Sequence, residues 1–185
     1  MHYVPSIPIN PTIITQYQVG DAEMAINVGD KLPEATFTVM GADGPAPQST
    51  QDVFGGKKFV LFAVPGAFTP TCSKQHLPGF VANADKIKGQ GIDAIACTSV
   101  NDVFVLDAWS KDAGADGKVT MLADGSAAFA KALGLELDLG DRGLGMRSQR
   151  YAMIVEDGVV KALNVEDSPG SAEKSGADAI AALLA

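Results

Sequence analysis

The fold is decided by the run Phe59-Val-Leu-Phe-Ala-Val64, the loop Pro65-Gly-Ala-Phe-Thr-Pro-Thr71 and the segment from Cys72 to Lys88. The first run is apolar and rich in aromatic and β-branched residues, which is typical of a strand buried on both faces. The segment from Ser73 to Lys88 spaces its apolar residues by three and four, as an amphipathic helix does. These apolar residues are Leu77, Phe80, Val81, Ala84 and Ile87. The sequence therefore predicts a strand, a loop and a helix, with Cys72 at the first turn of the helix.

Strand-like and helix-like patterns alternate through the rest of the chain. Ile92–Val100 reads as the next strand, and a β-loop-α-β unit favours parallel pairing with a right-handed crossover. Asp157-Gly158 lies between the apolar runs 150–155 and 159–165, which predicts an antiparallel hairpin. We therefore expect an α/β domain in three layers, with a mixed central β-sheet flanked by helices.

Four further elements complete this prediction. They are a helix capped by Asn101-Asp102 with Val103, Leu106 and Trp109 facing inward, a strand at Val119–Ala123, a helix at Ser126–Leu133 ended by Gly134, and a closing helix at Ala177–Leu184. The glycine-rich segment Gly140–Gly145 lacks the strand and helix that would flank a phosphate loop, and its pattern predicts a flexible loop.

Length and composition predict one folded domain. The chain has 185 residues, of which 46% are hydrophobic, which suits a single core. Residues 1–24 show prolines and scattered apolar residues without a sustained period, so we expect an N-terminal extension or an added leader. Such a segment is either a disordered tail or an arm that packs on a partner subunit. The domain itself is predicted to span residues 25–185.

Charge and residue types exclude several classes of function. The net charge of -8 has the wrong sign for binding a phosphate backbone, so no nucleic-acid partner is expected. No apolar run reaches the roughly 20 residues that cross a bilayer, so no membrane partner is expected. Two cysteines and two histidines do not supply a zinc set, and we expect no metal and no cofactor. Free thiols without a signal peptide favour a cytoplasmic location.

The position of Cys72 predicts thiol chemistry. Free N–H groups at a helix start stabilise a thiolate, and the thiolate is the nucleophile. A helix terminus supplies only about 0.3–2 kcal/mol, so a cation or strong hydrogen bonds must also contribute. Arg150 offers such a cation, and the hydroxyl of Thr69 lies three residues before the thiol. Pro65 and Phe68 are expected to shelter the pocket from water.

These residues resemble a known family. Pro65-Gly-Ala-Phe-Thr69-Pro-Thr-Cys72 looks like the peroxiredoxin signature P-x-x-x-T-x-x-C. The continuation Ser73-Lys-Gln-His76-Leu-Pro-Gly79, then Ser99-Val-Asn-Asp102 and Arg150-Tyr151, is similar to the type II, or peroxiredoxin-five-like, branch of the redoxins. The resemblance covers roughly Ala25 to the C-terminus.

The resemblance implies a thioredoxin-like fold and a thiol-dependent peroxidase that reduces hydrogen peroxide and organic hydroperoxides in antioxidant defence. In the implied cycle the Cys72 thiolate attacks the terminal peroxide oxygen and becomes a sulfenic acid. Thr69 would hydrogen-bond the peroxide, Arg150 would stabilise the developing negative charge, and Pro65 would shield the nucleophile. A homodimer is also implied.

Four further residues are candidates for the substrate pocket: Phe68, Gly66, His76 and Arg147. His76 fits either a proton shuttle or a helix-face residue that packs near the pocket, and the packing role is favoured. Arg147 fits either a second anion-holding residue or a solvated charge.

No resolving cysteine is predicted. Some members of the type II branch carry one near the position of Ala172–Ser175, and this chain does not. Cys97 lies in an apolar strand pattern and is expected to be buried and non-catalytic. We therefore expect a one-cysteine cycle in which glutathione with glutaredoxin, or thioredoxin, reduces the sulfenic acid.

Two other functions remain open at this point. A thioredoxin-like disulfide oxidoreductase needs a second thiol at C-x-x-C spacing, which Ser73–Gln75 does not provide. A redox relay or binding protein would use the same fold without turnover.

Overall fold

The computed structural model describes residues 25–185. The predicted N-terminal extension, residues 1–24, lies outside the described residues. Within residues 25–185 the helices are too short or too polar to cross a membrane.

Within residues 25–185, seven strands form the central sheet. They are β1 (Thr36–Gly41), β2 (Gly44–Ser49), β3 (Lys58–Ala63), β4 (Ala94–Ser99), β5 (Thr120–Ala123), β8 (Tyr151–Glu156) and β9 (Val159–Val165). Their order in the sheet is β2-β1-β5-β4-β3-β8-β9. Neighbours β3, β4 and β5 pair in parallel, and all other neighbours pair antiparallel. The predicted mixed sheet is therefore confirmed, including the Asp157-Gly158 hairpin. Two further strands, β6 (Glu136–Leu139) and β7 (Gly145–Ser148), form a separate antiparallel pair.

Helices cover both faces of the sheet, which confirms the three layers. The helices are α1 (Thr50–Phe54), α2 (Leu77–Gly89), α3 (Val103–Asp112), α4 (Ala128–Ala132) and α5 (Ala177–Leu183). One core cluster joins α2, α3 and α5 to one face of the sheet, and a second joins α1 and α4 to the other face. Strand β3 contributes to both, because alternate residues point to opposite faces: Val60 and Phe62 lie in the first cluster, Phe59 and Leu61 in the second. Each large side chain buried this way contributes about 1.5–3 kcal/mol.

The sequence patterns missed the first hairpin and the short helix after it. Strand β2 carries Pro45 and Pro47, which a strand tolerates at the edge of a sheet, where β2 lies. Helix α1 begins with a capping box, because Ser49 and Asp52 each satisfy a backbone N–H of the other.

The prediction of a flexible loop at Gly140–Gly145 is wrong. Residues 140–142 form a 3-10 turn that connects β6 to β7, and the N–H of Leu144 donates to the carbonyl of Leu139 at 3.1 Å. Gly143, with φ of 72°, supplies the left-handed conformation that closes this turn. Glycines that indicated flexibility in the sequence therefore shape a defined hairpin.

Candidate active site

Cys72 lies at the carboxyl end of β3, beyond a short loop, and opens a widened helical turn. Residues 72–76 form a π-helical turn in which the N–H of Leu77 donates to the carbonyl of Cys72. Pro78 follows at the start of α2; it has no N–H, and its ring would clash with the carbonyl of Lys74 in a regular helix. The predicted helix at 73–88 is thus a π-helical turn joined to α2, a local geometry that is frequent at functional sites. The Cys72 side chain is 0% exposed.

The loop before Cys72 is held by the end of β4. The N–H of Ala67 donates to Oδ1 of Asn101 at 2.9 Å, and the single hydroxyl proton of Ser99 has two acceptors within reach, the same oxygen at 2.8 Å and the carbonyl of Val64 at 3.1 Å. Asp102 caps α3 by accepting from the N–H of Val105. The Ser99–Asp102 motif therefore fixes the loop and the next helix, and it does not contact the thiol.

Arg150 reaches the sulfur of Cys72 from the far end of the sequence. Its Nη2 lies 3.2 Å from Sγ, and the residue is 2% exposed. Arg150 immediately precedes β8, which pairs antiparallel with β3 so that Tyr151 lies opposite Ala63. The start of β8 and the end of β3 consequently meet at one edge of the sheet. Nε and Nη2 of Arg150 also donate to the carbonyl of Pro169, at 3.2 and 2.7 Å.

His76 lies behind Arg150 and holds it in place. Its Nδ1 is 3.1 Å from Nη1 of Arg150, which can only donate, so Nδ1 accepts and the proton sits on Nε2. Nε2 then donates to the carbonyl of Ser175 at 2.9 Å. Burial lowers the pKa of His76 to about 4 and the charge of Arg150 acts in the same direction, against the Ser175 hydrogen bond and Glu166. His76 is therefore neutral at physiological pH and orients the guanidinium.

The far end of this network is the carboxylate of Glu166. Its Oε1 accepts hydrogen bonds from the N–H and the hydroxyl of Ser175, at 2.7 and 2.8 Å. The N–H of Glu166 donates to the carbonyl of Arg150 at 2.9 Å. The segment between β9 and α5 thus supports both His76 and Arg150.

Thr69 is half-buried in the loop, three residues before Cys72. Its hydroxyl donates to the carbonyl of Gly66 at 2.8 Å, and its own carbonyl accepts from the N–H of Ser73 at 3.0 Å. Gly66 is buried between two side chains: a Cβ at this position would lie 3.1 Å from Nη1 of Arg147 and 3.3 Å from Cγ2 of Thr69. A larger side chain here would push Arg147 or Thr69 aside by a few tenths of an ångström.

Arg147 is half-buried and bonds to the backbone. Its guanidinium donates to the carbonyls of Leu144, Val100 and Pro65, at 2.7, 3.1 and 3.4 Å. These bonds join β7 to the loops that follow β3 and β4. Arg147 is therefore not a solvated charge, and its hydrogen bonds go to backbone carbonyls and not to the sulfur of Cys72. It holds together the loops around the site.

A cleft of about 230 Å³ lies next to the residues that hold Cys72. It is lined by Pro65, Thr69, Pro70, Thr71, Leu139, Arg142, Leu144, Arg150, Pro169 and Gly170. Of the residues singled out in the sequence, Pro65, Thr69 and Arg150 line this cleft, and Arg150 links it to the buried sulfur. The lining does not include Cys72, Gly66, Phe68, His76 or Arg147. Phe68 is 54% exposed, so the expectation that it shelters the pocket is wrong.

Sequence reasoning missed Arg142 and the two leucines beside it. They reach the cleft through the β6–β7 hairpin, which the sequence patterns did not reveal. Pro169 and Gly170 arrive from the segment between β9 and α5 and carried no signal of their own in the sequence.

Cys97 lies on β4 in the core cluster that also contains Cys72, and it is a free, fully buried thiol. Burial raises the pKa of Cys97 well above its usual value, and proximity to Cys72 adds to the rise. A thiol held protonated in this way is a poor nucleophile. Among residues 25–185, no three His, Cys, Asp or Glu side chains gather in a group that could hold a metal ion.

Comparisons with known proteins agree with this geometry. The sequence profile of the redoxin family matches residues 27–181. The chain is 50% identical over 163 residues to peroxiredoxin-2E of Arabidopsis thaliana, with 86% of this chain and 70% of the relative covered. It is 50% identical over 163 residues to peroxiredoxin-2E-2 of Oryza sativa subsp. japonica, with 85% and 72% covered. The crystal structure of reduced Prx3 from Vibrio vulnificus in complex with hydrogen peroxide superposes with a TM-score of 0.83 at 52% identity, covering 86% of this chain and 99% of that one.

The same comparisons contradict the predicted cytoplasmic location. Both plant relatives are named as chloroplastic proteins. The prediction used free thiols and the absence of a secretory signal, and any reducing compartment satisfies these two conditions. Thiol state therefore does not distinguish the cytoplasm from an organelle.

The fold is the thioredoxin-like fold of these relatives, with seven strands flanked by helices. The profile match covers most of the chain, and the identities are high over nearly the whole domain. The chain therefore belongs to the redoxin family, as a type II peroxiredoxin, and is a thiol-dependent peroxidase.

Proposed function

We propose that Cys72 is the peroxidatic nucleophile and that residues 25–185 form the catalytic domain around it. The observation that carries this proposal is the buried contact of 3.2 Å between Sγ of Cys72 and Nη2 of Arg150. A guanidinium this close, away from water, donates a hydrogen bond to the sulfur and places a fixed positive charge at the reacting atom.

The reaction is a displacement at oxygen. The Cys72 thiolate attacks the terminal oxygen of the hydroperoxide, an S–O bond forms and the O–O bond breaks. The leaving oxygen takes a proton and departs as water or an alcohol, and Cys72 becomes a sulfenic acid. Arg150 faces both the sulfur and the cleft, so its charge also stabilises the negative charge that develops on the oxygens.

Thr69 and Pro65 complete the reaction site. The hydroxyl of Thr69 can rotate, so it can exchange its bond to the carbonyl of Gly66 for a hydrogen bond with the peroxide, and its oxygen can accept a hydrogen bond from the peroxide O–H. Pro65 is buried and lines the cleft. Because proline has no backbone N–H, it offers no donor that would hold a water molecule near the thiol. His76 acts through Arg150 as a positioning residue.

The proposed substrates are hydrogen peroxide and organic hydroperoxides. The relative from Vibrio vulnificus was crystallised with hydrogen peroxide, which supports the first. The second is supported by apolar side chains in the lining of the cleft, because they favour an organic group beside the peroxide.

The proposed reductant is an external thiol, namely glutathione with glutaredoxin, or thioredoxin, in a one-cysteine cycle. The support is Cys97: its side chain is fully buried and its pKa is raised, so it is a poor attacker of a sulfenic acid. Mass spectrometry of peroxide-treated protein should show a sulfenic acid, or a mixed disulfide with added glutathione, at Cys72. An intramolecular Cys72–Cys97 disulfide, or one between subunits, would refute the one-cysteine cycle.

A homodimer is proposed through the exposed apolar side chains of Phe68, Phe104 and Met146, which are 54%, 65% and 38% exposed. Arg147, next to Met146, bonds to the carbonyls of Pro65 and Val100, which precede Phe68 and Phe104 in the sequence. Phe68 has φ of 58°, a strained conformation that costs about 1–3 kcal/mol and holds its ring outward. Light scattering after size exclusion should give twice the chain mass, and Phe104→Lys should give the monomer. A parent protein that elutes as a monomer would remove the proposal.

Peroxide turnover tests the catalytic assignment. Turnover is measured with glutathione and glutaredoxin, and separately with thioredoxin. In both assays Cys72→Ser should lose activity, Cys97→Ser should keep it, and Arg150→Ala should have a kcat/KM that is lower by a factor on the order of 10²–10³. Circular dichroism and the unfolding midpoint verify that each variant is folded. Full activity of Cys72→Ser would end the assignment.

A further inference from the structure

The cleft beside Cys72 is locally cationic in an acidic protein. Arg142 and Arg150 are the charged residues in its lining, and no aspartate or glutamate of the described chain lines it. The protein as a whole has 22 acidic residues and 14 basic ones. A cleft that carries the opposite sign to the rest of the molecule concentrates anionic ligands at its mouth.

The two arginines differ in whether their guanidinium groups are already hydrogen-bonded within the protein. Arg150 is buried and already donates to Cys72, His76 and the carbonyl of Pro169. Arg142 is exposed, and within residues 25–185 its side chain makes no hydrogen bond and no ion pair. Arg142 is consequently the guanidinium that is available to a ligand.

The β6–β7 hairpin presents this charge together with an apolar wall. Leu139 and Leu144 line the cleft on either side of Arg142 in the sequence, and the bond between their backbones closes the turn. The nearby carboxylates stay outside the lining: Asp138 accepts from the N–H of Gly140, and Asp141 is exposed. A ligand that enters here meets an apolar surface and one cation.

We infer that Arg142 is a carboxylate-binding residue at the mouth of the cleft, which selects an organic reactant that carries a carboxylate beside an apolar body. This inference rests on the proposed function, because two reactants must approach the same sulfur through this cleft. The carboxylate belongs either to an organic hydroperoxide or to the small thiol that reduces the sulfenic acid. A guanidinium suits either one, since its planar fork matches a carboxylate.

Alkylation of Cys72 tests the subsite without peroxide turnover. Iodoacetate and iodoacetamide have nearly the same shape and differ in charge; in both cases the thiolate displaces iodide and forms an S–C bond. Mass spectrometry follows the alkylation of Cys72 by each reagent. The rate with iodoacetate divided by the rate with iodoacetamide should fall about three- to fivefold in Arg142→Gln, the size expected of an exposed charge pair. Arg142→Lys should keep most of the ratio. Lys161→Gln, which removes an exposed charge from β9, is the matched control and should leave it unchanged.

Steady-state kinetics then identify the source of the carboxylate. The peroxide arm compares a fatty-acid hydroperoxide with its methyl ester, and the thiol arm compares glutathione with its diethyl ester. Arg142→Gln should lower kcat/KM about three- to fivefold for the charged member of one pair and leave hydrogen peroxide unchanged. A lower kcat/KM for the fatty-acid hydroperoxide, but not for its methyl ester, assigns the subsite to the hydroperoxide. A lower kcat/KM for glutathione, but not for its diethyl ester, assigns the subsite to the reductant.

The failure of this inference is distinguishable from failure of the proposed function. If Arg142→Gln changes neither the alkylation ratio nor either pair while hydrogen peroxide is reduced normally, Arg142 binds no carboxylate and the inference is overturned. If the parent protein reduces no peroxide at all, the proposed function fails, and the alkylation ratio alone decides whether the cationic subsite exists.

Discussion

Acid should destabilise this protein through one histidine. His76 is buried, neutral and used as an acceptor by Arg150, and burial lowers its pKa from 6.5 to about 4. Below pH 6.5 the unfolded chain takes up a proton at His76 that the folded protein refuses until about pH 4. Stability must therefore fall as the pH drops through this window and is fully present above it. The difference between the two pKa values corresponds to a loss of about 3 kcal/mol.

Urea unfolding at a series of pH values measures this loss. The free energy of unfolding of the parent should fall by about 3 kcal/mol more than that of His76→Gln between the two ends of the window. Carboxylates such as Asp124 titrate in both proteins, and so does His2, the other histidine of the chain, so the difference isolates His76. Parallel pH dependences in the two proteins would refute the neutral, acceptor role of His76.

Two replacements of His76 test its hydrogen bond to Arg150. His76→Asn keeps an acceptor near the position of Nδ1 and should retain activity within about tenfold, whereas His76→Leu leaves Nη1 of Arg150 without a partner and should lose more. Equal activities of the two variants would show that the contact with Arg150 has no effect on the reaction.

Three further outcomes are expected. Thr69→Val should lower kcat/KM by about 10²-fold and Thr69→Ser much less, because the hydroxyl is the group proposed to hydrogen-bond the peroxide; equal turnover in both would remove its role. Gly66→Ala should cost about 1–3 kcal/mol in chemical unfolding, because its Cβ would lie 3.1 Å from Arg147, and the loss should shrink in an Arg147→Ala background. Cys97→Ser should keep turnover but lose about 1–3 kcal/mol of stability, because a hydroxyl would replace a fully buried thiol in the apolar core; an unchanged unfolding midpoint would contradict this burial.

The sequence predicted those parts of the fold that have a strong local pattern. The apolar run at β3, the helix that follows Cys72 and the Asp157-Gly158 hairpin each carry a period or a turn signal that burial in the sheet reinforces. Strand β2, with its prolines, has no such period, because none of its residues is buried and its place at the sheet edge tolerates proline. The β6–β7 pair is only four residues long on each side, and its glycines imitate a flexible loop.

The site, like the fold, has some features that the sequence predicts and others that only the tertiary structure reveals. The motif around Cys72 and the position of Arg150 are visible in the chain, and antiparallel pairing of β3 with β8 brings them together. The tautomer of His76 and the bracing by Arg147 depend on carbonyls from distant loops, which no local pattern reveals. Arg142 joins the cleft through a hairpin, so its place follows only from the tertiary structure.

The central claim is that the contact between Arg150 and the sulfur of Cys72 drives the reaction with peroxide. The direct measurement is the rate at which sulfenic acid forms at Cys72 in excess hydrogen peroxide, followed by rapid quenching and mass spectrometry in a Cys97→Ser background so that one thiol reports. We expect Arg150→Ala to react more slowly than the parent by a factor on the order of 10²–10³. A folded Arg150→Ala protein that forms the sulfenic acid at the parent rate would contradict the account.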